Sequence, residues 1–339
     1  MKLHQTRPIR IAAQLHPQHG DWRELRSAAL RSEELGYDLL YTWDHFSPLG
    51  GDPDGKHFEC WSLLAAWAEA TERIELGPLV ACNSYRNPSL HADIARTVDH
   101  ISGGRVIMGL GAGWFRRDYE RYGFPYSTKA SRIRALARDT PIIVDRLATS
   151  NPPPMRRMPI QIAGVGLELT LPIVARHADI WHAFFPDSLE EVRPAVEALI
   201  AHCEAIGRDP YEIEWSVGLQ PDDLDRFLRQ DADRYLELGF TQFTLGFGGP
   251  AWTVENGDAF LEWRDRPQHE PQGCQRGLRF RTARRPAGSE PARPRPAAAR
   301  RAGRRSASRG RGAPDGVPHR GSLALDTGAF IGIFPFRLL

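Results

Sequence analysis

The side chains best suited to chemistry lie in four short stretches, and the first is Tyr41-Thr42-Trp43-Asp44-His45-Phe46. Histidine is the side chain whose charge changes near neutrality, with a reference pKa of about 6.5. Residue type alone leaves two roles open for His45: proton transfer, or a hydrogen bond that only shapes a loop. The second stretch is Met108-Gly109-Leu110-Gly111-Ala112-Gly113-Trp114, where alternating glycines permit close backbone approach. The third is Ile162-Ala163-Gly164-Val165-Gly166, with a helix expected from Leu167. Backbone N–H groups at such a glycine-rich helix start can hold a phosphate, so Gly164 and Gly166 are phosphate candidates, with a plain turn as the alternative. The fourth, Gly77-Pro78-Leu79-Val80-Ala81-Cys82-Asn83, carries Gly and Pro inside an apolar run and predicts an irregular strand or bulge.

Other chemistries lack their residues. His45 and His57 are separated by a Gly/Pro-rich loop, and neither HxH nor HExxH occurs, so no metal site is expected. No GxSxG elbow and no GxxxxGK[ST] loop is present. The glycines before Trp114 also fit the dinucleotide fingerprint poorly, because Trp114 stands where a glycine is needed.

To act together these stretches must be brought to one place. Short segments rich in Ile, Val, Leu and aromatics predict eight strands, at 8–14, 37–43, 73–80, 105–110, 159–163, 179–184, 212–218 and 240–246. Between them lie segments with helical apolar spacing, such as 22–35 and 188–206. Asp21 is placed to start the first of these helices, and Gly36, Gly207 and Gly239 to end helices. Asn87-Pro88 reads as a turn into a helix, with Pro88 at the first helical position. Eight alternating units predict a closed (β/α)8 TIM barrel, an α/β fold; an open doubly wound sheet is the fallback. In such a barrel the working groups sit at the C-terminal ends of the strands, where all four stretches fall. The Ser47–Lys56 loop, with three Gly, two Asp and two Pro, is expected to form a mobile lip. Trp43, Phe46, Trp114 and Trp181 are expected to line the mouth and favour a flat, apolar substrate.

The whole chain sets further limits. Its net charge of +2 conceals an uneven distribution. Gln268 to Arg320 holds 14 arginines, no lysine and three acids, a net of +11, and 321–339 is neutral, leaving −9 on the first 267 residues. The expected division is a barrel at 1–267 and an extension at 268–339. The stretch from Arg281 to Arg311 has no aromatic residue and too little apolar surface to offset its backbone entropy, which predicts disorder. Arg-rich segments bind phosphates. Without interleaved aromatics for stacking, however, this one argues against nucleic acid as a partner. No apolar run is long enough for a membrane span, and the first ten residues lack a secretory core. Four scattered cysteines without CxxC pairing fit a reduced, cytoplasmic setting.

Several blocks then resemble a known family. Trp43-Asp44-His45-Phe46, Arg86-Asn87-Pro88, the stretch from Thr97 to Arg105, and Gly109 to Trp114 resemble the luciferase-like monooxygenase superfamily, and within it the coenzyme F420-dependent oxidoreductases. Pro159 to Gly166 and Ala175 to Asp179 continue the likeness, which covers roughly residues 8–266. The resemblance implies a cofactor ring across the barrel mouth: deazaflavin F420, or FMN as the alternative. It implies a bulge with a cis peptide on the third strand, in the Leu79-Val80-Ala81-Cys82 region, supporting that ring. It places Asp44, Leu79, Val80, Ala81, Gly109, Gly111 and Gly113 beside the cofactor, and Gly164, Val165 and Gly166 at its phosphate. His45 matches the ring-side histidine that handles a proton as hydride moves to or from the ring. The implied activity is hydride transfer between F420 and a small organic substrate, with an FMN monooxygenase or a non-catalytic cofactor-binding protein as alternatives. Leu49 and Trp114 stand where sugar-phosphate-oxidising relatives carry Trp and Glu, which puts a sugar-phosphate substrate in doubt. The short link between the fourth and fifth strands leaves room for a second subunit, in a homodimer, to complete the pocket.

Overall fold

The computed structural model describes residues 7–266. The proposed 268–339 extension and Cys274 lie outside the described residues. In chain order the strands are β1 (Arg10–Leu15), β2 (Leu39–Thr42), β3 (Glu75–Pro78), β4 (Ala81–Cys82), β5 (Met108–Gly111), β6 (Ile160–Ala163), β7 (Ile180–His182), β8 (Glu214–Leu219) and β9 (Phe240–Phe247). Helices α1 (Trp22–Leu35), α2 (Cys60–Ala70), α3 (Pro88–Ser102), α4 (Arg116–Tyr122), α5 (Lys129–Thr149), α6 (Leu171–His177), α7 (Leu189–Ala205), α8 (Leu224–Gln230), α9 (Ala232–Leu238) and α10 (Asp258–Arg264) surround them.

The strands run in the order β3-β2-β1-β9-β8-β7-β6-β5-β4, all pairs parallel. Leu76 bridges to Val106, donating to Arg105 and accepting from Ile107, so the two ends of the sheet meet in a nearly closed barrel. β3 and β4 occupy one strand position: the first half pairs with β2, the second with β5. Between them Leu79–Val80 is a cis peptide. The barrel therefore has eight strand positions, as the alternation predicts, and the third is interrupted.

Alternation along the strands separates two cores. Ala12, Leu39, Tyr41, Leu79, Ile107 and Ile180 fill the inside of the barrel. The opposite faces pack against the helices, and there Trp181 is fully buried against Trp215 and Phe240. Trp181 thus belongs to the outer core and does not line the mouth, because the adjacent Ile180 takes the inward direction. At the bottom Arg10 pairs with both Glu75 and Glu214.

Local signals account for the helix ends. Glu24 accepts from the Asp21 N–H at 3.1 Å, half of a capping box at the start of α1. Asn87 accepts from Ser89 and Leu90 before α3. The helix expected from Leu167 begins only at Leu171, because 167–170 forms a turn in which Gly166 C=O accepts from both Thr170 and Leu171. The Ser47–Lys56 loop, expected as a mobile lip, makes several contacts with its neighbours. His19 bonds Gly50 C=O at 2.6 Å, Leu49 N–H donates to Gln18, and Arg117 pairs with Asp54 at 2.8 Å.

Candidate active site

Past the end of β2 the chain continues through Trp43, Asp44 and His45, and each side chain takes a different partner. Trp43 stacks on His16, with ring centroids 4.2 Å apart and planes 16° from parallel. Its indole N–H donates to His57 Nε2 at 3.1 Å. Burial lowers both His16 and His57 to a pKa of about 4, helped at His57 by the nearby His45, so both imidazoles are neutral at pH 7.

Asp44 is buried and fully engaged by the protein. Arg86 donates to its two oxygens at 2.5 and 2.9 Å, and Cys82 N–H donates at 2.9 Å. Arg86 also reaches Glu59, the residue whose carboxylate caps α2. This group ties the end of β2 to β4 and to the helix after it. The carboxylate that the resemblance places beside a cofactor also braces the interrupted third strand through the Cys82 N–H.

His45 turns instead to Asp118. Its Nδ1 lies 2.9 Å from Asp118 Oδ2, which also accepts from Phe46 N–H at 3.1 Å and the Tyr85 hydroxyl at 3.3 Å. Burial pushes the Asp118 carboxyl upward, but the hydrogen bond and charge of His45 and the Phe46 N–H outweigh it and hold it below its usual value. An ionised carboxylate on Nδ1 selects the tautomer with Nδ1–H and leaves Nε2 as the working atom. His45 Nε2 has no partner among the described residues. Trp43, Trp114 and Phe115 surround the ring at centroid distances of 6.0, 5.7 and 5.4 Å. Trp114 itself is half exposed, as a mouth residue would be.

Sequence reading missed Asp118 because it considered strand ends only. Asp118 sits in the first turn of α4, five residues beyond Gly113, where the helix N-terminus also favours a negative charge. An acidic residue in the first turn after a strand-end glycine run is the signal that would have found it.

The glycines have protein neighbours. A side chain at Gly109 would collide with Pro78 C=O, and one at Gly111 would meet Val80 at 2.6 Å. At Gly113 it would strike Tyr119 and Cys82. Gly109 and Gly111 let the segment containing Pro78, Val80 and Ala81 cross β5 closely. In the third stretch, Gly164 has φ +142° and donates its N–H to His182 C=O at 3.0 Å. The N–H groups of Val165 and Gly166 have no acceptor among the described residues. A Cβ at Gly166 would lie 2.8 Å from Thr170 Oγ1, so loop packing alone already demands glycine there.

A parallel barrel with a carboxylate-held histidine and open loop amides at its C-terminal mouth defines the class of (β/α)8-barrel enzymes. Residues 1–222 match the luciferase-like monooxygenase family, and the chain belongs to it. It is 26% identical over 267 residues to an uncharacterised protein of Mycobacterium tuberculosis, covering 70% of this chain and 90% of that one. A 92-residue stretch is 38% identical to an F420-dependent glucose-6-phosphate dehydrogenase of Intrasporangium calvum, 27% of either chain. The fold matches the solved structure of an F420-dependent secondary alcohol dehydrogenase in complex with an F420-acetone adduct. The TM-score is 0.64 at 16% identity, over 76% of this chain and 98% of that one.

Proposed function

We propose that this protein is an oxidoreductase that transfers hydride between coenzyme F420 and a small organic substrate. The observation that carries the reading is the His45–Asp118 pair, held in one tautomer at the mouth beside the interrupted third strand. The residues present fit a flat ring with a phosphorylated tail. Val165 and Gly166 offer two unpaired N–H groups for phosphate oxygens, and Trp43, Trp114 and Phe115 form an aromatic wall.

When bound, the deazaflavin would supply the hydride donor or acceptor. The chain's own residues do the rest. Asp118 keeps His45 oriented, and Nε2 gives or takes the proton that accompanies hydride movement. The aromatic wall lines the approach to that atom. Leu49 and the half-exposed Trp114 bring no charge to the mouth, which favours an uncharged substrate over a sugar phosphate.

Incubation with F420 and with FMN, followed by desalting, absorption spectra and mass measurement, tests the reading. Retention of F420 alone supports it. Retention of FMN alone replaces it with a flavin monooxygenase, and retention of neither removes the cofactor site.

A further inference from the structure

On β7 and β9 the barrel wall carries polar atoms with no part in the proton transfer at His45. His182 Nε2, Gln242 Oε1 and Thr244 Oγ1 are buried without a hydrogen-bond partner. They are neighbours by register: His182 is level with Ser216 on β8, Ser216 with Gln242 on β9, and Thr244 follows on the same face of β9. Ile180 shares the inward face of β7 and packs inside the barrel, so His182 is directed there too. With β3 and β4 counted as one strand position, β2 and β7 stand half a turn of the barrel apart. His182 therefore stands on the strand across the barrel from β2, the strand that leads into His45.

The hydrogen-bond direction at His182 follows from counting donors. Its Nδ1 lies 2.9 Å from Ser216 Oγ, and that hydroxyl has no other side-chain or backbone partner. If Ser216 accepted from Nδ1–H, its own proton and the Nε2 lone pair would both be stranded. If Ser216 donates to Nδ1, only one group is stranded, the Nε2–H. Burial lowers His182 to a pKa of about 3, so the ring is neutral at pH 7. A stranded buried donor calls for an acceptor. The covering groups are Phe184 and Phe185, each 6.0 Å from the imidazole, with Phe185 lying over Gly218, where a Cβ would come within 2.6 Å of its ring. Both phenylalanines belong to the loop after β7, and neither supplies an acceptor.

We propose that His182 donates a hydrogen bond from Nε2 to a carbonyl oxygen of the ligand filling the mouth, from the β7 wall of the barrel. This rests on the reading of the mouth as a cofactor and substrate site. The carbonyl belongs either to the uracil-like edge shared by flavins and deazaflavins, or to a ketone or aldehyde substrate.

Fluorescence titration with F420 and with FMN, on wild type, His182→Phe and His182→Gln, tests it. The phenyl ring keeps the volume and removes the donor; glutamine restores a donor near Nε2. If the cofactor supplies the carbonyl, His182→Phe weakens its binding at least tenfold and His182→Gln stays within threefold of wild type. If the substrate supplies it, cofactor binding is unchanged. Cyclohexanone, used as a ketone probe of the cofactor-loaded protein, then loses at least tenfold in affinity in the Phe variant alone. Unchanged binding in both arms leaves His182 a buried water at most and overturns the proposal. Histidine ¹⁵N shifts of the ligand-free wild type should show the Nε2–H tautomer, and the Nδ1–H tautomer overturns it even if His182→Phe does not fold. Wild type that binds neither cofactor defeats the functional reading first, before any variant is compared.

Discussion

At the scale of residues, His45 owes its role to a partner far along the chain. Neighbouring side chains on an extended segment diverge, so Asp44 cannot serve it, and Asp118 does so from α4. General acid–base assistance is worth about 10²–10⁴-fold. His45→Ala should lower single-turnover hydride transfer by about that factor with cofactor saturating, while cofactor affinity changes far less. Asp118→Asn keeps the shape but replaces the carboxylate that fixes the Nδ1–H tautomer with an amide, and should lower turnover at least tenfold. If His45 only shapes the loop, the order reverses: poorer folding or binding with near-normal turnover per bound cofactor. A loss below threefold in the His45 variant would end the catalytic assignment.

At the scale of elements, Arg86 holds the joint that the site depends on. It spans Asp44 after β2 and Glu59 at the head of α2, and it stands at the entry to α3. Both charges of the Asp44–Arg86 pair are buried, and removing one partner of such a pair costs about 3–5 kcal/mol. Arg86→Met should therefore lower the unfolding free energy by about that amount, read as a lower urea midpoint at unchanged m-value, and Asp44→Asn in the same chain should recover part of it. Additive losses in the double variant would show that the two side chains act separately. Much of this scale was legible in sequence. α1 spans 22–35 as its apolar spacing predicts, and Asp21 and Gly36 bound it. The eight strand positions and the irregular third strand were also readable, because local alternation and a Gly-Pro break are local signals. The start of α6 was not, since the turn before it depends on Gly166 C=O and Thr170. Nor was the outward direction of Trp181, which strand register decides. Asp118 and His182 were missed for the same reason: what marks each is a partner, or a missing partner, on another element.

At the scale of the whole molecule, the last described helix is α10. α10 buries Phe260, Leu261 and Trp263, and Arg264 returns to Asp38 at 2.8 Å beside β2. Gln268–Arg320 adds charge with little apolar surface. A chain ending at Gln268 should stay folded and bind cofactor with unchanged affinity, whereas aggregation or lost binding would place part of the extension in the fold. The barrel also has a built-in acid sensitivity. His16, His91 and His182 are buried, and burial lowers them to pKa values of about 4, 3 and 3, with Arg86 adding to the effect at His91. In the unfolded chain each returns to about 6.5. Between those values the unfolded state binds more protons, so stability rises with pH. It is complete above pH 6.5 and declines as pH falls toward 4, by up to about 2 kcal/mol per histidine at pH 5. The carboxylates held below their usual range, such as the buried Asp118 and the partly exposed Glu59, act in the same direction only below about pH 4.5. Urea titrations of the ligand-free protein at pH 7, 6 and 5 should show a steady fall in midpoint. Replacing His91 with Gln should flatten that fall by about one proton's slope. A midpoint constant from pH 7 to 5 would mean that these imidazoles are solvated in the folded protein.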